Sequence, residues 1–118
     1  MSKFYVKDYS LRVWKNVEGA ENLYLSCRLE KPKTQDVEIH HYRFYQDNEF
    51  KEMDILHHFI EYGLNHAKKE GTKIDISPSS RSYVFMTLPD KNKENKSITV
   101  RISGEEMKEP YNPKPIKS

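Results

Sequence analysis

The stretch NEFKEMDILHHFIEYGLNHAKKEG, residues 48–71, decides how the rest of the chain is read. Met53, Leu56, Phe59, Ile60, Gly63, Leu64 and Ala67 recur at steps of three and four, which places them on one stripe of an α-helix. Lys51, Glu52, Glu61, Lys68 and Lys69 fall mostly on the other side. Asp47 or Asn48 is expected to cap the start. Glu49, Glu52 and Asp54 bring negative charge to the first turns, and Lys68 and Lys69 stand at the opposite end before Gly71.

The segments on either side alternate with the period of two that marks strands. In 4–17, Tyr9, Leu11 and Val13 oppose Ser10, Arg12 and Trp14. In 23–30, Leu23, Leu25, Cys27 and Leu29 oppose Tyr24, Ser26, Arg28 and Glu30. A third strand over 37–44 sets Val37, Ile39, His41 and Arg43 against Glu38, His40, Tyr42 and Phe44. Its apolar side switches part-way along, as a bulge or a strongly coiled strand would produce. After the helix, 73–76, 83–88 and 97–103 read as strands, the last two paired across a polar loop over 89–96. From Gly104 the order is expected to decay, and Pro110, Pro113 and Pro115 make 109–118 an extended tail after a single domain over 1–108.

This order, three strands, one helix and two or three strands, predicts an α+β fold. Two architectures fit it: an OB-like barrel closed at one end by the helix, and an open, mostly antiparallel sheet with the helix across one face. With 118 residues the chain suits one core. Charged residues make up 32% of it, so that core must be thin, yet Leu, Ile, Val and Phe are frequent enough to exclude general disorder. No apolar run is long enough for a membrane span, Met1–Tyr5 lacks the apolar core of a signal peptide, and Cys27 is the only cysteine; a cytoplasmic protein without disulfides is expected.

Candidate chemistry is sparse. The histidines are His40, His41, His57, His58 and His66, and none stands one helical turn from another. His40 and His41 face opposite ways on a strand, so no metal site is expected. Cys27 shares its face with leucines, where a thiol stays protonated. With four glycines there is no Gly-rich phosphate cradle, and no carboxylate has an obvious activating partner. Neither a catalytic residue nor a cofactor is expected.

Binding is better marked. Residues 46–71 hold more Asp and Glu than Lys and Arg, while the strand-forming remainder has the reverse balance. Aromatic residues interleave with arginines on the strands: Trp14 with Arg12, Tyr24 with Arg28, and Tyr42 and Phe44 with Arg43. Rings flanked by guanidinium groups are what single-stranded nucleic acid uses for base stacking and phosphate contact. Those residues, with Lys91, Lys93 and Lys96 on the loop, are the sequence-level candidates for a nucleic-acid interface. Tyrosine-rich strands and a Pro-rich tail fit a second reading as well, a protein–protein interaction module or inhibitor of the kind phages and mobile elements encode. A homo-oligomer is compatible with either.

Overall fold

The structure is a computed structural model that describes residues 3–15, 18–46 and 52–111. Six strands and one helix follow in the order β1 (Lys3–Lys15), β2 (Glu21–Glu30), β3 (Val37–Tyr45), α1 (Met53–Glu70), β4 (Ile74–Pro78), β5 (Tyr83–Pro89) and β6 (Ser97–Met107). The class is α+β. Neighbouring strands are all antiparallel, in the order β1-β2-β3-β6-β5-β4, and β4 returns to β1 so that the sheet closes into a ring.

Closure depends on β6, which runs past the point where order was expected to fail. Its first part pairs with β5 from Ser97 to Ser103, and its last part pairs with β3 from Gly104 to Met107. Gly104 is the hand-over point. A Cβ there would collide with the Arg43 carbonyl oxygen and stand 2.9 Å from Phe44 Cδ1, so only glycine lets the two strands approach this closely. The sequence reading took this glycine for an end, whereas it is the contact that joins the two halves of the sheet.

β2 is the strand that its alternation predicts: Leu23, Leu25, Cys27 and Leu29 are buried inside the ring. In β3 the expected bulge is absent. The register of this strand against β2 is unbroken from Asn22–Tyr45 to Glu30–Val37. Tyr42 and Phe44 point inward and are fully buried, while Val37 and Ile39 lie on the exposed outer face. The bulge sits in β1 instead, between Val6 and Asp8. There it re-aims the strand, so that Phe4 and Val6 join the core at one end and Tyr9, Leu11 and Val13 face it at the other.

α1 packs across β1, β2 and β5. Met53, Leu56, Ile60, Gly63, Leu64 and Ala67 are its buried stripe, with Phe59 half-buried beside them. Full burial of Leu56, Ile60 and Leu64 stabilises the fold by roughly 1.5–3 kcal/mol each before conformational entropy is counted. Gly63 is the point of closest approach to β5, because a Cβ there would come within 2.8 Å of Leu88 Cβ. Glu52 occupies the N-cap position with no side-chain cap bond, in place of Asp47 or Asn48, which lie outside the described residues. The C-terminus ends as expected, on Gly71 in the left-handed conformation (φ 67°), with Lys68 and Lys69 in the last turn. Among the described residues, no helix is long and apolar enough to cross a membrane.

Candidate nucleic-acid interface

The outer face of β1, β2 and β3 brings part of the sequence-level candidate set together. Strand register lines up Arg12 with Tyr24 and Tyr24 with Arg43, and β6 adds Glu105 beyond Arg43. With strands about 4.8 Å apart, Tyr24 stands between two guanidinium-bearing residues in a row about 10 Å wide. One step along, Trp14 pairs with Asn22 and Asn22 with Tyr45. Trp14 keeps 37% of its surface exposed.

Tyr111 lies against this row. Its ring stacks on Tyr24 with centroids 4.0 Å apart and planes 11° from parallel, and it meets Trp14 at 6.4 Å in a tilted arrangement. Burial pushes the Tyr24 phenol above its ordinary pKa, against the pull of the Arg43 guanidinium in the other direction. Arg43 lies over the Tyr45 ring, 5.2 Å from its centroid, and its Nε has no hydrogen-bond partner. The Tyr45 hydroxyl donates to Glu105 at 2.7 Å, which draws that carboxylate towards the edge of the row. Among the described residues, Arg12, Arg28 and Arg43 form no ion pair. Next to Arg28, the bulge of β1 leaves a shallow recess of about 320 Å³ lined by Ser10, Ser26 and Ile39.

Not every candidate belongs to this face. Tyr42 and Phe44 point into the core, and rings packed on both sides cannot stack on a base. Lys91, Lys93 and Lys96 line a different, polar cleft of about 590 Å³ with Tyr62 and His66 of α1. There Lys91 Nζ donates to His58 Nε2 at 2.9 Å. Lys96 precedes β6 and Glu105 stands near its far end, so the loop and the aromatic row are at opposite ends of that strand.

The histidines each have local partners. His41 shares a 2.8 Å hydrogen bond with the Ser26 hydroxyl, on the outer face. His57 lies 3.9 Å from Glu61, and the His66 ring stacks on Tyr62. His40 is more tightly held than its sequence context suggests. Its Nδ1 donates to Glu106 at 2.6 Å and its Nε2 to Glu38 at 2.9 Å, while Lys31 holds the other Glu38 oxygen at 2.8 Å. Burial on its own would lower the His40 pKa. Hydrogen bonds to Glu106 and Glu38, together with their charges, outweigh burial and leave it raised. Both ring nitrogens are taken up by carboxylate oxygens, so when protonated the ring donates on both sides and offers no lone pair to a metal. Among the described residues, no three His, Cys, Asp or Glu side chains converge as a metal site would need.

The Cys27 thiol is pushed up to about 12, first by burial and then by the Glu106 charge, and it donates to the His40 carbonyl at 3.8 Å. It is a packing residue with no thiolate at neutral pH. Two features of the outer face escaped the sequence reading. Tyr45 is the alternation partner of Arg43 and was within reach of it. Tyr111 follows a proline with no periodic pattern to mark it. In comparisons with protein-family models, curated proteins and solved structures, the chain matches none.

Proposed function

We propose that this protein is a non-enzymatic binding module for single-stranded nucleic acid, and that its ligand lies across the outer face of β1, β2 and β3. In this reading the ring of strands is an OB-like barrel with one strand more than the five-stranded form, and α1 packs against it. Trp14 and Tyr24 stack on bases, Arg12 and Arg43 hold the flanking phosphates, and Arg28 extends the contact along β2.

The stacking of Tyr111 on Tyr24 is the observation that carries the reading. A flat ring already sits parallel to Tyr24 at 4.0 Å, between two strands that each present an arginine with no ion pair among the described residues. A base has the same planar face and brings the phosphate that the arginines lack. Tyr42 and Phe44 have no part in it, and Lys91, Lys93 and Lys96 are left to contacts outside the platform.

The same observation favours one alternative. The ring seated on Tyr24 belongs to a peptide segment, Pro110-Tyr111, so a protein partner offering a similar segment is the second reading. Titration of the folded protein with a labelled twelve-nucleotide single strand at low salt separates the two. Saturable binding that weakens in Trp14→Ala and Arg12→Gln supports the nucleic-acid reading; no binding rejects it in favour of the protein partner.

A further inference from the structure

At the end of the ring where β1, β3 and β4 begin, a cleft of about 610 Å³ is surrounded by Lys3, Lys31, Lys33 and Lys73. Phe4 and Pro32 add apolar lining, and Thr34 adds a hydroxyl-bearing side chain. The four ammonium groups come from three separate segments: the start of β1, the β2–β3 turn and the link between α1 and β4. Folding alone brings them together.

Neutralisation at this cleft is incomplete. Lys31 is paired with Glu38 at 2.8 Å. Lys3, Lys33 and Lys73 form no ion pair among the described residues. Lys73 lies over the Tyr5 ring at 5.8 Å. Asp75 faces Lys3 in the strand register, but its carboxylate is buried and accepts a hydrogen bond from Ser77 Oγ at 2.9 Å. Three positive charges without an ion pair among the described residues stand around one concave, partly apolar surface and focus a positive potential into it. A multiply charged anion would be drawn to that potential.

We propose that this cleft is a binding site for closely spaced phosphate groups, held by Lys3, Lys33 and Lys73. Its volume is that of a small-ligand site, and lysines act on phosphate as mobile point charges that adapt to a chain of them. The phosphates have two possible sources, a free polyphosphate or the backbone of a nucleic-acid strand. Lys3 and Trp14 are separated by most of β1, about 35 Å at about 3.3 Å per residue, so the cleft stands apart from the aromatic row and does not depend on its assignment.

The test is a titration with inorganic tripolyphosphate at low ionic strength, followed by backbone amide NMR shifts. The expected result is saturable shifts concentrated at Lys3, Lys33, Thr34 and Lys73. Affinity should fall at least about tenfold in Lys33→Gln/Lys73→Gln, since each charged hydrogen bond to phosphate carries that order of binding. Lys91→Gln/Lys93→Gln, which removes as much surface charge elsewhere, should bind as the parent does. Absence of saturable shifts, shifts spread evenly over all lysines, or equal affinity in the two variants would overturn the site. A twelve-nucleotide strand added to the complex then identifies the source. If it displaces tripolyphosphate the strand's backbone is the ligand, and if it does not the ligand is a free polyphosphate; the cleft is retained in both cases.

Discussion

Gly63→Ala perturbs the contact on which the placement of α1 depends. The added Cβ would stand 2.8 Å from Leu88 Cβ and 2.9 Å from Leu88 Cδ1. The methyl can rotate away, but the Cβ is fixed to the β5 backbone, so the helix itself has to move. Overpacking of this kind costs about 1–3 kcal/mol, while replacing glycine by alanine inside a helix returns about 0.5–1 kcal/mol. The net expectation is a loss of about 0.5–2 kcal/mol, or several degrees of thermal midpoint for a domain of this size. Leu88→Ala alone should cost about 2–5 kcal/mol, because Leu88 is fully buried. In the double variant the alanine at position 88 keeps the Cβ that the new methyl meets and only the contacts with Leu88 Cγ and Cδ1 are relieved, so the combined loss should fall short of the sum by less than about 1 kcal/mol. Guanidinium unfolding with an unchanged denaturant slope measures all three. A Gly63→Ala variant more stable than the parent would refute the close approach of α1 and β5.

Phe44→Ala should lower stability by about 3–5 kcal/mol, read from the same unfolding curves, whereas Trp14→Ala should change it by less than about 1 kcal/mol, since one ring is in the core and the other on the surface. Tyr111→Ala should tighten single-strand binding about two- to tenfold in a fluorescence-anisotropy titration, because the ligand no longer displaces a stacked ring worth about 0.5–1.5 kcal/mol; weaker binding would make Tyr111 part of the site. The raised His40 pKa means that its contribution to stability is complete below the ordinary histidine value of about 6.5 and is lost as pH rises through the folded value. Glu38, whose pKa is lowered by its hydrogen bonds to Lys31 and His40, contributes above the ordinary carboxylate value and loses that contribution as pH falls through the depressed one. Thermal midpoints measured against pH should therefore decline on the alkaline side in the parent and decline less in His40→Gln.

The elements with an unbroken period were legible in the sequence. The stripe from Met53 to Ala67 and the alternation from Leu23 to Leu29 bury the residues that their spacing selects, with Phe59 alone half-buried. β3 was misread because its chemistry opposes its geometry. Val37 and Ile39 look like core yet face outward, while Glu38 and His40 face inward near the open end, where Lys31 and Glu106 satisfy them. Glu106 is distant in sequence, so nothing near His40 announces that partner. Gly104 carried the usual signal of a chain end, although its small size serves a strand crossing. Tyr111 and the lysines of the second cleft are brought into place by tertiary contacts alone, and no spacing rule could have gathered them.

Stacking of nucleic-acid bases on the face bearing Trp14 and Tyr24, as proposed, can be read from intrinsic fluorescence. Trp14 is the chain's only tryptophan, so its emission reports on that face alone. Single-stranded oligonucleotide added at low salt should quench this emission saturably, added salt should reverse the effect, and Tyr24→Ala should weaken the affinity by about 1–3 kcal/mol with the fold intact. Emission that stays unchanged in the folded parent, or an affinity that does not respond to loss of Tyr24, would contradict it.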